Sequence, residues 1–349
     1  MSTGIGSNRP FLKVSVLVGI IMLAFWVAAM FPDLVILLIS SVLVAFVLKP
    51  LVKMLEFRLG LRRSIAIACV FIVVGGLVAL VAIEAVPFLI NRLQTMYQQF
   101  RVFPFEVKLN EAAQRFAKDV PFLDATTIAG KINQYISDTL QSVGGGLENA
   151  FGYLATVAIV PFVTYFILAE GDHALKKLIE RVPNKYFEMT LNVLNKIERD
   201  LVGYLRGWIL DSVIIGLLSV VAMYAIGIDY PILIGTVAGV ANLIPYLGPI
   251  VGAVPAFMVS LTQYGDFRML LPIAAATFLV QLIDNIVVQP LCYAKTVDMH
   301  PLTVIIVLVI GNQLMGVMGM LLAIPIATVL KVSAIETYWG LRHYRITAT

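Results

Sequence analysis

Residues Tyr230 to Tyr264 run for 35 positions without a charged side chain, and proline and glycine interrupt the run at its centre. The interruption holds Asn242, Pro245, Tyr246, Gly248 and Pro249, with Pro255 shortly after. An α-helix of that length would be ~52 Å long, against a bilayer hydrocarbon core of ~30 Å. Two helices joined by an opened tip fit better than one straight span. Unpaired backbone at membrane depth is tolerated only where protein or a water-filled cavity covers it. A broken helix of this kind therefore points to a transport site near the bilayer midplane.

The rest of the composition agrees. Hydrophobic residues make up 60% of the 349, charged ones 13%, and mean hydropathy is +0.93. A soluble domain carries about 25% charge, so lipid must cover part of this surface. The reading is an all-α polytopic membrane protein with about six full spans plus two broken helical hairpins. The net charge of +4 is small, and the basic residues cluster at helix ends rather than along one face, which excludes a nucleic-acid partner. Cys69 and Cys292 fall in apolar stretches as packing residues. No cofactor, disulfide framework or metal-ligand spacing is predicted.

Apolar runs place spans at 14–31, 34–48, 64–83, 149–169, 208–228 and 269–293, with broken segments at 231–264 and 301–330. The first could be a cleaved signal sequence ending at Val27, Ala28 and Ala29, but its close successor favours a retained helical hairpin. The last segment is again too long for one span, and Gly311, Asn312, Gln313, Gly316 and Gly319 occupy its middle. Each arm would be ~16 Å, about half a bilayer. The C-terminal half thus reads as span, hairpin, span, hairpin, a weak internal repeat of inverted type. Two kinked full spans are the alternative.

Lys49, Lys53, Arg58, Arg62 and Arg63 follow the second span against Glu56 alone, which places that loop and the N-terminus in the cytoplasm, and two re-entrant hairpins leave the basic tail with Arg342 and Arg345 there too. The chain divides into transmembrane helices over 1–87 and an extracytoplasmic helical insert over 88–148. A span and an amphipathic cytoplasmic helix follow over 149–206, a half with two broken hairpins over 207–331, and a tail over 332–349. The insert, with six acidic and six basic residues, shows Leu89, Leu93, Tyr97 and Phe100, then Ile128, Ile132 and Ile136, at helical spacing. It can gate, dimerise or cap. The segment 170–206 aligns Phe187, Leu191, Leu194, Ile197, Leu201 and Leu205 on one helical face, suited to a membrane surface or a subunit contact.

Ionisable groups inside membrane spans are costly, so each is a functional candidate. Asp284 lies well inside the span 269–293, next to a polar stripe of Gln281, Asn285 and Gln289 at four-residue spacing. A carboxylate there can bind a cation or exchange a proton; the alternative is an interhelical hydrogen-bonding stripe with no transport role. Asp211 opens the span 208–228, as a site residue or as an interfacial helix-start acid. At the tips, Pro245, Gly248, Pro249, Gly311 and Gly316 remove amides or bulk so that backbone groups can face a ligand. Asn242, Tyr246, Asn312 and Gln313 add neutral hydrogen bonds. Such a site suits a small polar solute, uncharged or weakly anionic, or a monovalent cation or proton. Glycines at 235 and 239, and at 248 and 252, also allow close helix packing.

The ordered set Pro245, Gly248, Pro249, Pro255, then Asp284, Asn285 and Pro290, then Gly316, Gly319 and Pro325 resembles the autoinducer-2 exporter family of bacterial membrane proteins. Ala45 and Lys49-Pro50 resemble that family's second span. The resemblance covers nearly the whole chain. It implies about eight membrane segments, a homo-oligomer, such as a pentamer, in the bacterial cytoplasmic membrane, and an elevator-like movement of the hairpin-bearing half. It also implies export of an autoinducer-2-like signal, or in some relatives monovalent cation/proton exchange. The phosphate-binding loop of an ATP-driven pump and the His-Glu-x-x-His and Gly-x-Ser-x-Gly motifs of intramembrane enzymes do not occur. A non-transporting scaffold has no use for backbone opened at membrane depth.

Overall fold

The computed structural model describes residues 30–102, 159–293 and 299–343 and a few isolated positions between 107 and 134, and among these every regular element is helical. Helix α1 (Pro32–Leu59) starts on a proline and ends at Gly60, whose φ of 65° is the left-handed conformation that turns the chain into α2 (Arg63–Val102). Helix α3 covers residues 159–180 and α4 is Asn184–Ala225. Then come α5 (Pro231–Ala241), α6 (Leu247–Tyr264) and α7 (Leu270–Ile283). A π-helical turn (Asp284–Val288), α8 (Gln289–Tyr293) and α9 (Pro301–His343) complete the chain. Among the described residues six helices are long and apolar enough to cross a membrane, and α5 is a shorter apolar one. This is a multi-pass membrane protein. Its surface agrees: Ile72, Leu77, Ile83 and Leu217 are all more than 60% exposed, a lipid-facing pattern.

The first broken segment is a helical hairpin. Its arms α5 and α6 lie so close that a Cβ on Gly248 would meet the Asn242 side chain and the Ala238 carbonyl, and one on Gly252 would meet Ala238. The second also folds back on itself, at Met315 and Gly316, whose backbone is non-helical. Gly311 and Gly319, eight residues apart and so ~12 Å apart on a straight helix, instead pack backbone to backbone. Gly316 has φ 59° and ψ −145°, a conformation open to glycine and closed to side chains.

Several boundaries differ from the sequence reading, each for a local reason. The arms are unequal: α5 has 11 residues and α6 has 18, and the second arm of α9 runs on to His343 through what the sequence suggested was a tail. The segment 170–206 is not one helix. Pro183 disfavours helix at Val182 before it, so α3 ends and α4 begins there. Helix α4 then continues without interruption into the fifth span, 42 residues or ~63 Å in all. Helix α2 passes Ile83 and Pro87 and carries the start of the insert. The first span, most of the insert and the start of the fourth span lie outside the described residues.

Helix α4 is the element that every core shares or adjoins. One core joins its C-terminal part to α5, α6 and α7; a second joins Tyr204, Leu205 and Trp208 to α1, the first hairpin tip and α9; a third joins α1, α2 and α3. At the basic end of α1, ion pairs tie four helices. Lys49 reaches Asp172 at 3.1 Å and Glu198 at 3.0 Å. Arg63 reaches Asp172 at 2.9 Å and also donates to the Leu168 carbonyl. Lys196 pairs with Glu336 and so holds α4 to the far end of α9.

Two outcomes follow from this packing. Gly235 faces the Gly216 carbonyl and the Val220 backbone at distances where a Cβ cannot fit. Gly235→Ala is expected to cost about 1–3 kcal/mol in unfolding experiments on detergent-solubilised protein, whereas Gly75→Ala, with open space around it, is expected to be neutral. Burial favours the neutral form of Asp172, but hydrogen bonds from Arg63 and Lys49, with their charges, outweigh it and hold the carboxyl below its ordinary range. Its folded value is thus the lower one, so its stabilisation is present above the unfolded value and lost as pH falls through the folded one. The melting-temperature difference between wild type and Asp172→Asn should stay level from about pH 8 to about pH 5 and shrink below about pH 4.

Candidate functional site

Glycine decides what α4 can approach. A Cβ on Gly207 would collide with the Cys292 carbonyl, so α8 passes α4 at that point. One turn on from Gly207, Asp211 faces the hairpin tip and α8. Asn242 Nδ2 donates to Asp211 Oδ2 at 3.0 Å and the Tyr293 hydroxyl donates to the same oxygen at 3.3 Å. Trp208 Nε1 donates to the Leu243 carbonyl at 2.6 Å, a second tie between α4 and the tip. Tyr204 stacks between Trp208 and Tyr293, with ring centroids 5.9 and 5.8 Å apart.

Asp284 arrives from the opposite side. Pro290 has no N–H, and its ring crowds the carbonyl four residues back, so the preceding turn widens to π geometry. The widening matters chemically. Five residues along an α-helix a side chain points well away, whereas across this π turn Gln289 reaches back and donates to Asp284 Oδ2 at 2.9 Å. Gln281 donates to the same oxygen at 3.2 Å. The two acids meet: the Asp211 and Asp284 carboxyls lie within hydrogen-bonding reach of each other. They are 3% and 0% exposed, and Asn242 is 1% exposed. Asp211 Oδ1, Asp284 Oδ1 and Asn242 Oδ1 are buried with no donor facing them.

A cavity of about 170 Å³ opens beside Asp211, walled by Tyr204, Pro245, Tyr246, Gln289, Tyr293 and Ile324 among others. None of its described lining residues is Lys, Arg or His. Tyr246, in the left-handed region at φ 70°, is one of two such non-glycine residues in the described chain. Strain of that kind is held where surrounding structure enforces it, often at ligand sites.

The residues singled out from sequence therefore separate. Asp211, Asn242, Gln281 and Asp284 form one buried cluster, and Pro245 and Tyr246 wall the cavity beside it. Asp211 is not an interfacial helix-start acid; it lies deep inside α4, because that helix begins at Asn184. Gly248 and Pro249 are buried between the hairpin arms as packing positions. The tip amides do not face outward: those of Asn242, Leu243, Ile244 and Leu247 are bonded within the tip itself. Asn285 is exposed, accepting from Gln281 and Gln289. Gly311 is locked against Gly319, while Asn312, Gln313 and Gly316 are exposed at the second tip and do not line the cavity. Tyr204, Trp208 and Tyr293 escaped the sequence reading. Tyr204, Trp208 and Asp211 fall three and four residues apart, on one helix face, which was the available signal.

A multi-pass helical bundle with a broken hairpin whose tip touches a buried acid pair has the architecture of a membrane transporter. Residues 15–339 match the AI-2E family transporter profile, and the chain belongs to that family. Among its relatives is the Bacillus subtilis protein named "Putative transport protein YrrI", 26% identical over 303 residues that span 86% of this chain and 85% of the relative. The Escherichia coli "Putative permease PerM" is 25% identical over 84% of this chain and 86% of its own length.

The buried contact to Asp284 sets a measurable difference between two neighbours in the polar stripe. Gln289→Leu leaves Asp284 Oδ2 with Gln281 alone and is expected to cost about 1–3 kcal/mol of stability. Asn285→Leu, on the exposed side, should cost less than half of that in the same unfolding assay.

Proposed function

We propose that this chain is a secondary transporter that moves a small polar solute across the bacterial cytoplasmic membrane, exporting an autoinducer-2-like signal or metabolite coupled to an ion gradient. The observation that carries this reading is the cavity under the first hairpin tip, lined by Asp211 and Gln289, whose hydrogen-bond partners Asn242 and Asp284 are buried beside it. Its volume is below the ~300–1,000 Å³ of drug-sized ligand pockets, so it suits a solute of few heavy atoms. Two acids and no cation among the described lining residues make an anionic solute a poor match and a neutral polyol or carbonyl compound a good one. Asp211, Asp284, Gln281 and Asn242 bind the solute or its coupling ion, and Pro245 and Tyr246 shape the wall. Gly248, Pro249 and Gly311 keep the hairpins closed, and Asn285, Asn312, Gln313 and Gly316 serve at the outer edge of the moving half. Both termini lie in the cytoplasm, and exposed apolar faces serve lipid and a homo-oligomer.

The second reading is a monovalent cation/proton antiporter. It is favoured by the buried carboxylate oxygens that no donor faces, which cations or protons satisfy and polyols satisfy only in part. A scaffold without flux has no role for these groups.

Proteoliposomes carrying a pH gradient separate the readings, with sodium, lithium and an autoinducer-2-type solute added one at a time. Solute-dependent collapse of the gradient, reduced at least about tenfold in Asp284→Asn, is the expected outcome. Collapse driven by cations alone favours the antiporter, and rates equal to those of empty liposomes with every addition would sink both.

A further inference from the structure

The Asp211–Asp284 contact joins two helices that are far apart in sequence, and among the described residues nothing in the cluster bears a positive charge. The groups facing the pair can be named element by element. Helix α4 supplies Tyr204, the hairpin tip supplies Asn242 and Tyr246, and the span around Asp284 supplies Gln281 and Gln289. Helix α8 supplies Cys292 and Tyr293, whereas Val304 and Ile324 of α9 do not ionise. Four neutral donors, from Asn242, Tyr293, Gln281 and Gln289, all point at the two Oδ2 atoms. That set can stabilise one negative charge spread over the pair. It leaves both Oδ1 atoms without a donor.

Two adjacent carboxylates cannot both stay ionised away from water; they hold one proton between them, and the macroscopic titration belongs to the pair. A second, independent feature points the same way. Tyr204, only 2% exposed, lines the cavity beside Asp211. It supplies a donor and an acceptor on the path between cavity and pair.

We infer that Asp211 and Asp284 form one proton-binding site, in which a single exchangeable proton is shared between the two carboxyls and reached from the cavity past Tyr204. The inference rests on reading this cavity as the coupling site and adds to it the second acid and the stoichiometry. Its consequence is mechanical. The same Asp211 that shares the proton holds Asn242 at the hairpin tip, so proton loss changes the charge to which the tip is tied. The step is one proton taken from water on one side and returned to water on the other, with no bond to carbon and no redox change.

The test is infrared difference spectroscopy of the purified full-length protein in detergent at neutral pH, in light and heavy water. The expected result is one protonated carboxylic-acid band in wild type, sensitive to deuterium, that disappears in a single step of one proton per chain as pH rises. Asp211→Asn and Asp284→Asn should each abolish the same band at neutral pH, because the shared proton needs both carboxyls. A band that persists in Asp211→Asn would show that Asp284 holds its proton unaided and would overturn the inference. So would a wild-type signal of two protonated acids, or of none, a reading that needs no variant. Because the spectrum involves no flux, it fails independently of the transport reading. A chain that moves solute but lacks the band loses only the shared proton, and a chain with the band and no flux loses only the transport function.

Discussion

The structure depends on how closely α4 can be approached. Gly235 and Gly239 of α5 sit against Gly216 and Ser212 of α4, and Gly207 of α4 sits against the Cys292 carbonyl of α8, at separations where a Cβ added to Gly235, Gly239 or Gly207 would clash. Helix pairs in lipid gain no hydrophobic driving force from contact with each other, so close van der Waals packing and buried hydrogen bonds must supply it. Small residues on α4 allow both. They let α5 lie against it, which fixes where the chain opens after Ala241, and they let α8 bring Tyr293 to Asp211. Without those approaches the acid pair would not exist, since its two halves sit on α4 and on the π turn and meet only when both neighbours are in place.

The open tip and the buried acids solve each other's problem. An interrupted helix exposes backbone groups that lipid cannot satisfy. Here the tip satisfies its own amides through tight turns, and the Leu243 carbonyl takes the Trp208 indole. What the tip presents is then a side chain, Asn242, whose donor meets an acid that would otherwise be costly to bury. Stability and function diverge at this point. The packing glycines and the ion pairs of Lys49 and Arg63 stabilise one arrangement, whereas the acid pair is a buried polar network left with acceptors unmet. Natural proteins break their own local rules in this way at functional sites.

How much of this was legible depended on whether a feature is written locally. The first hairpin was, because Pro245, Gly248 and Pro249 interrupt its uncharged run, and the second was, because Gly311, Gly316 and Gly319 interrupt a run too long for one span. Asp284 stood out because an acid within an apolar run needs a reason. Asp211 was harder to place. Hydropathy starts its span at Trp208, and only the unbroken helix from Asn184 makes it a buried mid-helix residue. Tyr204 and Trp208 looked like ordinary helix aromatics until α8 was laid beside them. The π turn was half-written: Pro290 is visible, but that its strain turns Gln289 onto Asp284 follows only from the built helix. The polar residues of the second tip show the limit of motif reading, since Asn312 and Gln313 share a chemistry with Asn242 and yet face away from the cavity.

That asymmetry between the hairpins bears on how such a protein works. If both tips met at one central site, as a symmetric repeat suggests, either could close it. In this structure one tip carries the hydrogen bond to the acid pair, while the second hairpin contributes its arms, Val304 in the first and Ile324 in the second, to the cavity wall. The second hairpin is closed by the Gly311–Gly319 contact and continued by a long arm tied to α4 through Lys196 and Glu336. Only the first tip is attached through groups whose charge can change. A conformational change is driven by a ligand only to the extent that its two states interact with it differently. The attachment of Asn242 to Asp211 is a contact of that kind, and the contacts of the second hairpin, being apolar, backbone or peripheral ion pairs, are not. On the proposed reading, the first hairpin is therefore the part suited to sensing occupancy, and the second hairpin supplies cavity wall.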